Sequence, residues 1–278
     1  MKKRALIVSD THYCHVDWYG VDSAERMRRL MRHINEEYEK DPFEVILFLG
    51  DLSLDHWRWQ TKGCYLKEGR SRTGEFVKEF CPELPDVPVY MIAGNHEQYG
   101  EEMWRSLTGC GRSAVVPFGD VLLVLYDSYC ADLDPTEHSD GTYTPIPVAQ
   151  IRAVMDAHPD KRIVLASHHF DIAKEGDEAR ELLLDPRVLC LFCGHSHAAN
   201  VTVLPEEWGE KRVIRTGNYS YYGKSDRDIL KYMWGFRDLY LDEGVLWSRY
   251  IVPENEVVLD GERVQVPAAY QNGVEIRF

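Results

Sequence analysis

The amino-acid sequence predicts an α/β layered fold with a β-rich C-terminal part, and three observations carry that expectation. Short apolar runs rich in Val, Ile and Leu recur up to Phe192. Polar stretches with apolar residues at helical spacing lie between them. From about Asn200 the pattern changes to alternating segments split by turn signals.

Taken in order, Ala5 to Val8 is the first run, and its unbroken apolar character marks a strand buried on both faces. Asp22 to Glu39 follows as a helix, with Met27, Leu30, Met31, Ile34 and Tyr38 on one face. Val45 to Leu49 is the second strand, Thr73 to Phe80 a helix, and Val87 to Ile92 the third strand. Val121 to Tyr126, Ile163 to Ala166 and Val188 to Phe192 are the remaining runs, with helices at Pro147 to Ala157 and Asp177 to Leu184 between them. Turn signals at Asp242-Glu-Gly, Asp260-Gly-Glu and Asn272-Gly then divide a series of hairpins. No internal repeat, low-complexity tract or Pro/Ser-rich linker marks a boundary. The expectation is therefore one domain over residues 1–278, with a core over about 5–220 and an extension over about 221–278.

The composition narrows the class. At 278 residues, 44% apolar and 28% charged, the chain is excluded from the disordered class and is long enough to hold a core without disulfide or metal staples. The net charge of −14 repels nucleic-acid phosphates and argues against nucleic acid as a partner. Seven cysteines at irregular spacings read as reduced thiols of a cytoplasmic protein. The basic start Met1-Lys-Lys-Arg is followed by an apolar run too short for export, and no run approaches a membrane span.

The chemistry collects at the ends of the apolar runs, where open α/β sheets place their sites. Asp10-Thr-His12 follows the first run, Gly50-Asp51 the second, and Gly94-Asn95-His96-Glu97 the third. His168-His169 follows the Ile163 run, and Gly194-His195-Ser-His197 the Val188 run. In extended backbone, residues i and i+2 share a side, so the D-x-H and H-x-H pairs can each face one ion. Carboxylate with imidazole is a donor set of intermediate hardness, suited to Mn, Fe or Zn. Asp51 stands alone in its fragment, which fits a carboxylate shared by two cations about 3.5 to 4 Å apart. The glycines at 50, 94 and 194 are read as letting the chain turn sharply and approach the ions.

The ordered set D-x-H, GD, GNH[DE], H, GH-x-H resembles the signature of the calcineurin-like metallophosphoesterase superfamily, over about residues 5 to 220. The resemblance implies a two-sheet, four-layer α/β/β/α sandwich. It implies a first ion held by Asp10, His12, Asp51 and His197, and a second held by Asp51, Asn95, His168 and His195. It further implies a hydroxide bridging the ions for in-line attack on phosphorus, with His96 as the general acid that protonates the leaving oxygen, and Asn95 with the ions holding the phosphoryl oxygens. The expected substrate is a small phosphoester, with a phosphodiester favoured. A phosphomonoesterase and a metal-poor protein-binding scaffold, as in the retromer-subunit branch, are the alternatives.

Two departures from related branches matter. Leu54 stands where the phosphoprotein phosphatases carry the Asp of GD-x-x-D-R-G and where the purple acid phosphatases carry a Tyr ligand. Asp55, one place later, is left as a candidate to orient His96. In the fourth motif His168 is favoured over His169, because similar motifs use the first of such a pair; His169 then reads as a supporting or packed residue. Asp55 to Arg72 is locally basic, with Trp57, Trp59 and Tyr65, and is a candidate pocket wall or a solvated loop. Asn218 to Tyr222 lines the site or packs beneath it. Cys190 and Cys193 read as buried strand cysteines, and His15, His33, His56, His138 and His158 as surface or capping residues.

Overall fold

The computed structural model describes residues 2–14, 21–57, 70–131, 133, 140–220, 234–254, 256–259, 262–265 and 273–278. The first half alternates strand and helix as its apolar periodicity requires: β1 (Lys3–Val8), α1 (Ser23–Lys40), β2 (Val45–Leu49), α2 (Arg72–Glu79), β3 (Val89–Ile92) and α3 (Glu101–Thr108). A second series follows: β4 (Ala114–Phe118), β5 (Val121–Leu125), α4 (Val148–Ala157), β6 (Arg162–Ser167), α5 (Asp177–Leu184) and β7 (Val188–Cys193). The remaining described strands are β8 (Val201–Val203), β9 (Arg212–Arg215), β10 (Phe236–Asp242), β11 (Val245–Ile251), β12 (Glu256–Leu259), β13 (Glu262–Gln265) and β14 (Val274–Arg277).

Among the described residues these strands form two large sheets, ordered β14-β11-β10-β1-β2-β3 and β4-β5-β6-β7-β9-β8, and the separate β12-β13 pair. Alternation along each central strand sends side chains to two different cores. Ile7, Leu47, Leu49 and Ile92 of the first sheet meet Leu123, Leu125, Val164 and Phe192 of the second. The opposite face of the first sheet, with Leu6, Ile46 and Phe48, packs on Met27, Leu30 and Ile34 of α1 and Phe76 of α2. The outer face of the second, with Ile163, Leu165 and Leu191, packs on Ile151 of α4 and Leu182 of α5. The result is the expected α/β/β/α sandwich.

Of the strands past the signature motifs, β10, β11 and β14 enter the first sheet, and β8 and β9 the second. β10 pairs antiparallel with β1, Leu6 opposite Asp238, and Arg4 Nε and Nη2 donate to Asp238 Oδ1 at 2.9 and 2.6 Å across that seam. The turn at Asp242-Glu-Gly joins β10 to β11, with Glu243 and Gly244 both at positive φ. The turn signals at Asp260 and Asn272 lie outside the described residues. β1, β2 and β3 run parallel, as do β5, β6 and β7, so their carboxyl ends reach one rim of the sandwich.

Two histidines expected at the surface are in the core instead. His33 sits on the inward face of α1, with Nδ1 2.6 Å from the Tyr219 hydroxyl. His56 is wholly buried, its Nδ1 accepting from Gln98 N at 3.2 Å. Each ring has found a polar partner that makes burial tolerable. His158 does cap α4 at an exposed position, while His15 and His138 lie outside the described residues. Cys190 and Cys193 are free thiols buried on β7.

Candidate metal centre

Asp10 and His12 follow β1, Asp51 follows β2, Asn95 and His96 follow β3, His168 follows β6, and His195 and His197 follow β7. The fold brings all eight together. Backbone hydrogen bonds knit the loops at the rim: Asp10 N donates to Gly50 O and His12 N to Asp51 O, both at 3.0 Å. Asp10, His12, Asp51, His195 and His197 all have φ between 45° and 62°. This left-handed conformation costs about 1 to 2 kcal/mol for a residue with a side chain, so the surrounding structure holds five site residues in a conformation that local preference opposes.

The side chains form three overlapping groups of possible donors among the described residues: Asp10, His12 and His197, then His12, Asp51 and His96, then Asp51, His168 and His195. Asp10 Oδ1 lies 3.4 Å from His197 Nε2 and 3.8 Å from His12 Nε2. Asp51 Oδ2 lies 3.2 Å from His12 Nε2 on one side and 3.2 Å from His168 Nε2 on the other. Asn95 Oδ1 is 3.0 Å from His168 Nε2 and 2.9 Å from His195 Nδ1. His168 donates its Nδ1–H to Leu49 O at 2.8 Å, which leaves Nε2 as the nitrogen facing the cluster.

Burial and charge set the protonation preferences. Burial pushes Asp51 up, but His168, His96 and His12 together outweigh it and hold the carboxyl well below its usual range. Burial pushes His12 and His195 down to about 4, so both rings are neutral donors at pH 7. His168 goes the other way. Burial lowers it, but Asp51 raises it to about 10, which marks a position where positive charge is strongly favoured. Asp10 Oδ1 is buried without a hydrogen-bond partner. A buried carboxylate oxygen without a hydrogen bond, within 4 Å of two imidazole Nε2 atoms, is a donor set lacking its acceptor, and a divalent cation fits it. The clustered carboxylates and imidazoles thus fit a site for two transition-metal ions.

Close approach explains two of the glycines, in a different way from that expected. A Cβ at Gly94 would lie 2.1 Å from Asp51 Oδ1, and one at Gly194 2.5 Å from Asp10 Oδ2. The glycine backbones thus press on the carboxylates themselves.

Several supporting residues had no sequence assignment. Glu97, wholly buried, accepts from Asp51 N, Ser53 N and Gly94 N at 2.9, 2.7 and 2.8 Å; its place in the third motif was visible, but its role was not. Buried Arg26 donates to the carbonyls of Thr11 and His12, both at 2.9 Å. An arginine four residues before Leu30 on the apolar face of α1 was the available signal. Asp140 Oδ1 stands 3.5 Å from His96 Nδ1. Asp55 does not serve His96: its carboxylate accepts from Arg72 N, Thr73 N and the Ser71 hydroxyl, capping α2. His169 points away from Asp51, stacking on His195 with ring centroids 4.0 Å apart and meeting the Tyr129 hydroxyl at 2.8 Å. Asn218 donates to His197 O at 3.1 Å, while Tyr219 packs in the core against Trp234; Tyr221 and Tyr222 lie outside the described residues.

A cavity of about 350 Å³ opens over the centre, bounded on its inner side by Asn95, His96 and His195. Trp57 lines it, as the basic-loop reading allows. Residues 58–69, with Trp59 and Tyr65, lie outside the described residues. Among the described residues no helix is long and apolar enough to cross a membrane.

Comparison with known proteins agrees with the fold. A dimetal phosphatase from Danio rerio shares 13% identity at a TM-score of 0.63, over 95% of this chain and 98% of its own. The purple acid phosphatase PPD1 from yellow lupin (Lupinus luteus) seeds shares 12% at 0.60, and this chain, matched over its whole length, spans 54% of that one. GAP50, the anchor in the inner membrane complex of Plasmodium, shares 11% at 0.57, over 96% of this chain and 89% of its own. No curated protein matches the sequence. The family model for calcineurin-like phosphoesterases matches residues 3–199, the span that contains every motif of the centre, and the chain belongs to that family.

Proposed function

We propose that this protein hydrolyses small phosphate esters at a centre of two transition-metal ions (Mn, Fe or Zn), with phosphodiesters preferred. The observation that carries the reading is the placing of Asp51 Oδ2, 3.2 Å from both His12 Nε2 and His168 Nε2. One carboxylate oxygen thereby belongs to both donor groups. Bound there, the ions would supply activation of water and charge neutralisation at the phosphoryl oxygens.

The chain's own residues do the rest. His96 faces the cavity, its Nε2 3.7 Å from Asp51 Oδ2, and is the general acid for the departing oxygen. Asn95 turns Oδ1 toward His168 and His195 and its amide nitrogen toward His96, 3.3 Å from Nε2, from where it would donate to a phosphoryl oxygen in place of that contact. Asp140 beside His96 Nδ1 orients that ring, the task first considered for Asp55.

The diester preference rests on charge. A chain of net charge −14, with Asp140 in the cavity wall, admits a monoanionic diester more readily than a dianionic monoester. The chain also lacks the Arg motif that grips a dianion in the phosphoprotein phosphatase branch. Trp57 offers a face on which a planar ester group can rest. Cysteines at irregular spacings support a reducing, cytoplasmic setting.

Parallel kinetics on bis-p-nitrophenyl phosphate and p-nitrophenyl phosphate with added manganese test the reading. A higher kcat/KM on the diester, reduced in Trp57→Ala, is expected. A clear monoester preference moves the assignment to a phosphomonoesterase, and no hydrolysis by a metal-loaded chain moves it to a binding scaffold.

A further inference from the structure

One wall of the cavity leads away from the metal centre toward a cation that the proposed chemistry does not use. The His195 ring stacks on His169 at 4.0 Å, and His169 meets Tyr143 edge-on at 4.9 Å. Beyond them Lys174 Nζ lies 5.5 Å from the Tyr143 ring centroid, and Lys174 also lines the cavity. An ester arm laid along these rings from the phosphorus would reach the ammonium. Among the described residues no other lysine or arginine lines this cavity.

The local partners leave the charge of Lys174 largely uncommitted. Its ion-pair partner among the described residues is Asp171, at 3.8 Å, beyond hydrogen-bond length. The neighbouring carboxylate, Glu175, is occupied by the Tyr143 hydroxyl and by Ile146 N. Asp140, which also lines the cavity, sits against His96 rather than against Lys174. An ammonium with three donors therefore faces a cavity whose intervening surface is aromatic. In a strongly acidic chain a cation held only at this longer range is suited to select for charge in a ligand.

We propose that Lys174 recognises a second anionic group, a carboxylate or phosphate, on the organic arm of the ester, so that the preferred substrate carries charge beyond the scissile phosphorus, at a point where a cation offsets the acidity that disfavours a dianionic phosphoryl group. This rests on the phosphoesterase reading above. Lys174 is a specificity residue in this scheme. It touches neither the donor cluster nor His96, so its replacement leaves the metal content and the basal reaction intact.

The test compares metal-loaded wild type, Lys174→Ala and Lys174→Glu on bis-p-nitrophenyl phosphate and on the analogue with a carboxylate on each ring. For the carboxylated ester, KM is expected to rise about tenfold in Lys174→Ala, the low end for a charge-assisted hydrogen bond at a half-exposed site. It should rise further in Lys174→Glu, with kcat little changed and the plain ester unaffected. Added salt should raise the wild-type KM for the carboxylated ester and have less effect on that of Lys174→Ala. Equal changes on both esters, or no change on the carboxylated one, overturn this inference alone. Hydrolysis of neither ester by the wild type overturns the phosphodiesterase reading and this inference with it.

Discussion

The backbone N–H of Asp51 donates to Glu97 Oε2 at 2.9 Å, so the carboxylate at the middle of the candidate metal centre is aimed by a second, wholly buried carboxylate. Glu97 also accepts from Ser53 N and Gly94 N, and thereby ties the loop after β2 to the loop after β3. Burial, then the charge of Asp51, pushes its carboxyl up to about 8, against the pull of the Ser53 and Gly94 donors. A buried acid in this position gains nothing from solvent, and what it gains locally is the geometry of Asp51.

Glu97→Gln should therefore weaken the fold and the centre together. An amide turns one acceptor into a donor that faces a backbone N–H, a contrast with the carboxylate that is fullest above pH 8 where Glu97 is ionised, and each buried donor left unmatched costs about 1 to 3 kcal/mol. Urea unfolding should show a loss in that range, and metal affinity should drop roughly 10- to 100-fold, as for other lost supports of ligands. An unchanged midpoint with unchanged metal affinity would leave Glu97 a bystander.

Asp51→Ala should lose both ions, because both donor groups share its Oδ2. Elemental analysis of purified protein reads this directly. Calorimetry gives a second readout: metal should raise the Tm of the wild type, since a ligand of the native state stabilises it, and should leave that of Asp51→Ala unmoved. Two ions retained per chain would remove Asp51 from the centre.

His168→Ala should weaken the second ion, whereas His169→Ala should act only through the His195 ring it stacks on, by about 10-fold to 100-fold at most. Metal titrations of both variants separate the two. The reverse order would move the ligand role by one residue.

How much of this was legible in the sequence varied with how local the cause was. β2 and α5 fell on the expected residues because their apolar patterns have sharp polar edges. β3 starts at Val89 rather than Val87, since Pro88 between them has no N–H to give the ladder. α3 and β4 were missed: α3 is an eight-residue helix between Gly100 and Gly109, and β4 is a short edge strand that contains Pro117. The pairing of β10 with β1 joins residues more than 200 apart, and no periodicity encodes it. The same holds at the site. Residues on strand ends could be read from spacing, whereas Arg26 and Asp140 arrive from a helix and a distant loop, and only the fold brings them there.

The thiols give a prediction independent of the metals. Burial pushes Cys190 up to about 12 and Cys193 to about 11, so at pH 8 both are protonated and enclosed. Cys130 is exposed. Alkylation of native protein at pH 8 should label Cys130 early and spare Cys190 and Cys193 until denaturant is added. Peptide mass spectrometry decides, and early labelling of the β7 pair would contradict their place in the core.

His96→Ala bears on the reaction itself. Its ring lies 3.7 Å from Asp51 Oδ2 through Nε2 and 3.5 Å from Asp140 Oδ1 through Nδ1, and it lines the cavity. It lies with His12 and Asp51 in a third cluster of possible donors, but in the proposed scheme it is not a ligand, so the variant should keep two ions per chain, and loss of an ion would make His96 a ligand instead. Loss of a positioned acid lowers kcat by roughly 10² to 10⁴. That loss should depend on the substrate: an ester whose departing alcohol is strongly acidic leaves without a proton and needs His96 least. Across a series of aryl and alkyl esters, the ratio of wild-type to His96→Ala kcat should therefore grow as the leaving group becomes more basic. Asp140→Asn should follow the same trend with a smaller slope, because it leaves the acid present and loosens only its orientation. A ratio that stays constant along the series would mean that His96 holds the phosphoryl group and passes no proton to the departing oxygen.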